Sequence, residues 1–371
     1  MTKPKALFIA ATGQNVGKTT TCLGLVSGLK KRYRSVGFLK PVGQEHIELD
    51  TGIHVDKDVV LFKTHFNLSD PYEEMSPVLF PQGFTRDYLD GKIAHKSLQD
   101  KISHSFSSIT RKHEITVIEG TGHTGVGSIV DLNNAQVAAL LGCPLLLIAP
   151  GGLGSSFDEL SLNYAQCEKY RVPVAGVILN RVLEDKKTMV HQYMEKALKR
   201  WNVPLLGCIP YDAFLSTPTM FDFEQLFHTK LLTGEMFRLQ HFHHIRLAAS
   251  APELQRDALI PGQLIITPAS REEIILATLT RYWDAKIADP KKDLKIGMIL
   301  TGRAPPKSTI VDQIQRADIP MLYVPLNSFI AMKMINTHTT KIRQGDTPKI
   351  EEAVKIVESH IDFDKLISTI F

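Results

Sequence analysis

Up to about residue 212, short unbroken apolar runs alternate with stretches whose apolar residues repeat at helical spacing. The runs at 6–11, 35–40, 115–119, 144–149, 174–179 and 205–209 are short and almost uniformly apolar, the pattern of strands buried on both faces. Between them, Leu23, Leu25 and Leu29 continue a helix that opens at Lys18, and 132–141, 160–169 and 189–201 are helical in pattern. This alternation predicts an α/β fold: a parallel sheet with right-handed crossovers and helices on both faces. Segment 72–114 breaks the rhythm with Pro77, Pro81 and Gly83 before a helix near 95–110, and is expected to be an insertion. From about 213 the texture changes. Segments 221–232 and 273–282 are helical in pattern, 264–266, 296–300 and 321–324 strand-like, and apolar residues at 350, 353, 354 and 357 mark a last helix. The expected organisation is a sheet domain over 1–212, a smaller α/β domain over 213–345, and a C-terminal helix in 346–371 packing on the second domain.

In a parallel sheet, ligands bind at the carboxyl ends of the strands. The loops at 12–19, 40–43, 119–127, 150–156, 180–181 and 210–212 are therefore expected to share one rim. The first of them carries the strongest chemical signal. Thr12-Gly13-Gln14-Asn15-Val16-Gly17-Lys18-Thr19-Thr20 joins an apolar strand to a helix and has the form of a phosphate-binding loop. Its backbone N–H groups and the helix dipole favour a polyphosphate there. Lys18 is expected to reach the β- and γ-phosphates, and the Thr19 hydroxyl to ligate Mg²⁺. Thr12 stands where the first glycine usually does, and Gly13 is expected to supply the backbone freedom instead.

The rest of the rim adds charge. Glu119 ends a strand before a glycine-rich turn, a place where nucleoside triphosphatases hold Mg²⁺. Asp56 and Asp58 begin a helix; one carboxylate suits the Mg²⁺ shell and the other a helix cap, although both could be caps only. Lys40, before Pro41, could neutralise a transferring phosphoryl group or hold an anionic substrate. The Asn180 amide could read a purine edge, with Pro210 and Tyr211 flanking the base. His241, His243 and His244 lie without a nearby carboxylate and read as an exposed strand or loop rather than a metal site.

Composition limits the partners. The net charge of +4 over 371 residues is spread along the chain, and the densest basic run, 30–34, ends a helix, so no nucleic-acid partner is expected. No apolar run is long enough to cross a bilayer, and no signal peptide is evident. Cys22, Cys143, Cys167 and Cys208 have no metal-type spacing and read as reduced thiols of a cytoplasmic protein.

The Thr12–Thr19 turn, Lys40-Pro41-Val42, Ile118-Glu119-Gly120-Thr121-Gly122, Asn180 and Pro210-Tyr211 together resemble the dethiobiotin synthetase-like branch of P-loop proteins. Nearly the whole chain is similar to the N-terminal region of long-form bacterial phosphotransacetylases, which join such a domain to a DRTGG domain. That similarity is carried by 119–135, 150–160, 261–268 with 271–274, 300–302 and 349–353. The resemblance implies ATP and Mg²⁺ as ligands, with Lys18, Lys40 and Glu119 at the chemistry. Gly13, Gln14, Asn15, Val16, Gly17, Thr20, Asn180, Pro210 and Tyr211 would lie around the nucleotide, and Thr19, Asp58 and Glu119 around the metal. It further implies a homo-oligomer, and as partner a catalytic phosphotransacetylase or another metabolic enzyme. The acetyl-transferring domain of the long enzymes is not matched, so acetyl transfer is not expected. No cysteine follows Cys208, so neither is the glutaminase chemistry of the related cobyrinic acid amidases. Two functions fit: a regulatory ATP–Mg²⁺-binding module, or an ATP-dependent ligase or kinase that activates a carboxylate or carbamate as a mixed phosphoric anhydride.

Overall fold

Two units, Met1–Asp212 with Ile342–Phe371 and Ala213–Lys341, make up the computed structural model, which describes residues 5–248, 259–291 and 294–370. In the first unit, β1 (Ala6–Ala11), β2 (Val36–Leu39), β3 (Ile115–His123), β4 (Leu145–Pro150), β5 (Val174–Val182) and β6 (Leu205–Pro210) form one parallel sheet. Its order is β6-β5-β4-β1-β3-β2. Every residue of β1 is buried, as a central strand covered on both faces requires. β3 stays in register with β1 as far as Ile9 and Glu119, then shifts so that Ala11 faces His123. Glu119 is thereby held beside the end of β1, where the first loop begins.

Helix α1 (Lys18–Lys30) is apolar nearly all round: Cys22, Leu23, Leu25, Val26 and Leu29 are all buried. Such a helix needs cover on both sides. The sheet covers one side. The other is covered by the C-terminal segment, which corrects the expectation that 346–371 packs on the second domain. Two helices, Thr347–Glu358 and Phe363–Ile370, return to the first unit. The reason lies in α1 itself, where Gly24 and Gly28 leave a flat strip one turn apart. A Cβ on Gly24 would sit 2.3 Å from Val357 Cβ, and one on Gly28 2.1 Å from Phe363 Cζ, so only glycine admits these helices so close. Asp362 N–H donates to the Leu206 carbonyl at 2.9 Å and Lys365 Nζ to that of Leu205 at 3.0 Å, tying the segment to β6 as well.

The second unit holds a five-stranded sheet in the order Leu231–Thr233, Met321–Val324, Gly297–Thr301, Gln263–Pro268, His244–Leu247. All neighbours are parallel except the first pair. The expected helix over 221–232 is shorter: it spans Met220–Phe227, and His228 at φ 51° ends it before the strand Leu231–Thr233. Leu231 and Leu232 continue the apolar spacing of that helix by coincidence, because the Glu224 side chain accepts from Leu231 N–H across the turn.

Candidate nucleotide site

The loop between β1 and α1 takes its shape from two left-handed residues, Asn15 at φ 57° and Gly17 at φ 92°. Gly13 is not among the left-handed residues, so the expectation that it supplies the turn's freedom is corrected. Gly17 is doubly constrained, because a Cβ there would also lie 2.1 Å from Asn180 Nδ2. Thr12 fits the position of the usual first glycine because its polar groups are partnered. Its N–H donates to the Ile148 carbonyl at 2.8 Å and its hydroxyl to Glu159 Oε2 at 2.9 Å.

Six expected residues converge at the start of α1. The Thr19 hydroxyl donates to Glu119 Oε1 at 3.0 Å. Lys40 Nζ lies 3.1 Å from the same oxygen, is hydrogen-bonded to Asp58 Oδ2, and is 4.0 Å from Asp56 Oδ1. Asp56 caps α2 (Lys57–Phe66) by accepting from Asp58 N–H at 2.9 Å, which aims Asp58 at Lys40. Lys18 Nζ donates to the Gly122 carbonyl at 3.0 Å. Lys40 is 4 % exposed and Glu119 0 %, so these charges act on one another in a poorly solvated place.

The electrostatics follow from that burial. Burial, with Lys40 nearby, lowers the Lys18 pKa. Burial would also lower that of Lys40, but Asp58, Glu119 and Asp56 overcome it and hold the ammonium well above its usual value. Burial raises Asp56 to about 7 and raises Glu119 against the pull of Lys40. Burial pushes Asp58 up as well, yet its pairing with Lys40 keeps it below the usual carboxylate range.

The oxygens gathered here suit Mg²⁺. Glu119 Oε2 is buried with no hydrogen-bond partner, although a carboxylate oxygen in such a place needs one. With the Thr19 hydroxyl on Oε1 and Asp58 beside it, the donors are hard oxygens, as Mg²⁺ requires. Among the described residues no three His, Cys, Asp or Glu side chains form a complete metal cage. A site in which phosphates and water supply the remaining ligands needs no such cage, so the residues fit.

The outer rim is less assembled. Asn180, 4 % exposed, donates from Nδ2 to the Val16 carbonyl at 2.8 Å and accepts from Arg181 N–H at 2.9 Å. Its amide thus braces the phosphate loop, leaving one N–H and one lone pair for any base. Pro210 ends β6, and Tyr211, 48 % exposed, donates its N–H to the Val182 carbonyl. In the second unit, the rings of His241 and His243 pack on Phe214 at 4.9 and 6.0 Å.

Some shaping residues carry little sequence signal. Asn134 holds the turn after Glu119 through Thr121 N–H and the carbonyls of Thr121 and His123. Asn163 stands on the buried stripe Ser156, Leu160, Asn163, Cys167 of the helix Gly154–Lys169. A polar residue on an otherwise buried stripe was the available clue.

The AAA domain family AAA_26 matches residues 5–219. The chain belongs to this family. The AAA domain is followed by a DRTGG domain, matched at 225–338. Phosphate acetyltransferase of Nitratidesulfovibrio vulgaris is 25 % identical over 369 residues, covering 97 % of this chain and 51 % of that protein. The Pseudomonas aeruginosa phosphate acetyltransferase is 27 % identical over 376 residues, with the same two coverages. The AAA_26 chain thus spans about half the length of these relatives and is homologous to their N-terminal half. ATP-dependent dethiobiotin synthetase BioD of Bacillus subtilis subsp. natto is 30 % identical over 226 residues, 58 % of this chain and 91 % of that protein. Among the described residues no helix is long and apolar enough to cross a membrane.

Proposed function

We propose that this chain is a regulatory module that binds ATP with Mg²⁺ and reports its occupancy to a catalytic phosphate acetyltransferase unit. The observation that carries the reading is the meeting of half-buried Lys18, Thr19 and Asp58 with buried Lys40 and Glu119 at the start of α1. When bound, Mg²⁺ would supply charge neutralisation of the phosphates from the side of Thr19, Asp58 and the unpartnered Glu119 oxygen. Lys18 would leave the Gly122 carbonyl for the β- and γ-phosphates, and the loop N–H groups up to Thr20 would surround them. Asn180 would hold the loop in shape, with Pro210 and Tyr211 beside the base.

A second reading is favoured by one observation, the buried second lysine. Lys40 stands where it could stabilise charge on a transferring phosphoryl group. Together with the likeness to a dethiobiotin synthetase, this supports an ATP-dependent ligase that activates a carboxylate or carbamate. One experiment separates the two. A thermal-shift and phosphate-release screen is run with ATP–Mg²⁺, with and without small carboxylates. The module reading expects a higher melting temperature with ATP–Mg²⁺, its loss in Lys18→Ala, and only slow phosphate release throughout. A metabolite that raises release by orders of magnitude establishes the ligase reading; no ATP–Mg²⁺ binding by calorimetry at millimolar nucleotide overturns both.

A further inference from the structure

Two loops enclose the place proposed for the polyphosphate: the phosphate loop after β1 and the glycine-rich turn at the end of β3. One side chain from a third element is bonded to both. Asn163, 7 % exposed, donates from Nδ2 to the Thr12 carbonyl at 3.1 Å and to the Glu159 carbonyl of its own helix at 2.8 Å. Its Oδ1 accepts the Thr124 N–H at 3.1 Å and also the Thr124 hydroxyl. Thr124 is fully buried, and Glu159, one turn before Asn163, receives the Thr12 hydroxyl. The amide is saturated, with two donors and two lone pairs all engaged.

The glycine-rich turn is gripped at a second point, Gly122, whose carbonyl accepts from Lys18 Nζ. The Lys18 ammonium has three N–H donors, and a polyphosphate competes with that carbonyl for them. Resting on the nucleotide reading above, we infer that Asn163 is a positioning residue: it fixes the spacing of the two loops, and keeps the glycine-rich turn in place when Lys18 turns to the polyphosphate. Without it, the Thr12 carbonyl and Thr124 N–H become buried groups lacking partners, which drives the loops to rearrange. The ligand must then order them on binding, and affinity falls.

The test uses the full chain and ATP–Mg²⁺ as probe, with affinity by calorimetry and folding by circular dichroism. Asn163→Leu removes all four bonds and is expected to weaken binding about tenfold, the effect of one or two lost hydrogen bonds. Asn163→Asp has a sharper signature. Ionised, its second oxygen faces two carbonyl acceptors; protonated, its single O–H can donate to the Thr12 carbonyl, restoring the contact between the loops though not the amide's second donation, to Glu159. Its pKa should lie above the ordinary value of about 4 for burial beside acceptors. The ratio of its Kd to that of the wild type should therefore be largest near about pH 8 and shrink toward one near about pH 5. A role confined to fold stability would not give a ratio that recovers with protonation in a variant that stays folded. A folded Asn163→Leu chain that binds like the wild type overturns the inference. Should that variant not fold, the Asn163→Asp ratio decides, and a ratio flat with pH overturns it. Wild-type chain that fails to bind ATP–Mg²⁺ overturns the nucleotide reading itself, and this inference with it.

Discussion

Asp56 shows how one residue holds two roles in tension. As the cap of α2 it needs only an acceptor for Asp58 N–H, which Asn would also supply. As a carboxylate it is buried 4.0 Å from Lys40 and titrates near 7, above the ordinary 3.8. The folded chain therefore keeps a proton on Asp56 that the unfolded chain releases from about pH 4 upward. The folded state binds more protons in that window, so this group removes stability as pH rises toward about 7. Asp56→Asn keeps the cap and cannot titrate. Chemical denaturation across that range should show the wild type losing stability more steeply than Asp56→Asn, and equal slopes would contradict the assignment. At this scale the sequence was most legible where residue type coincides with a strand end or a helix start: Lys18, Thr19, Lys40, Asp58 and Glu119 were singled out on that ground and meet at the start of α1. It was least legible where a side chain serves other side chains. Apart from its place on the stripe of Leu160 and Cys167, nothing local distinguishes an Asn163 that bonds residues nearly forty and about 150 positions away from a solvated helix Asn.

The elements were legible in proportion to their regularity. Strands covered on both faces announce themselves as short apolar runs, and those of the first sheet follow the pattern closely. The edge strand His244–Leu247 in the second unit was anticipated only as an exposed strand or loop around His241, His243 and His244, because His243-His244 and Arg246 break the apolar run. Helix α1 gave a subtler clue. Two glycines cost a helix about 1 kcal/mol each relative to alanine, so a strip of Gly24 and Gly28 implies a close neighbour that offsets the cost. Gly28→Ala should therefore lower the melting temperature despite improving helix propensity, since overpacking costs about 1–3 kcal/mol. In a Phe363→Ala background the same change should be neutral or stabilising, because the ring it would strike is gone. A substitution that is equally harmful in both backgrounds would show that Phe363 is not what requires the glycine.

At the scale of the molecule, chain order and spatial order diverge. Sequence texture marks a change near residue 213, but it cannot show that the segment from Ile342 onward returns to the first unit, since amphipathic helices do not name the surface they cover. The practical consequence is that the first unit cannot be cut from the chain by a single break. A chain ending at Lys341 would leave the Gly24 and Gly28 face of α1 and the edge of β6 uncovered. It should lose cooperative unfolding and expose apolar surface to a hydrophobic dye. A truncated chain with the melting behaviour of the parent would show that the returning helices are dispensable.

The same arrangement sets a timetable for synthesis. The sheet of the first unit leaves the ribosome early, but the helices that seal α1 emerge later, after about 130 intervening residues. Closing an unstructured loop of that length carries an entropic cost that grows with its logarithm, and a second unit already folded spares the chain most of it. The nascent phosphate-binding unit would then wait, unsealed, until its insert had folded. Variants that slow the folding of residues 213–341 should consequently delay the appearance of nucleotide binding during translation, while leaving every residue of the site unchanged.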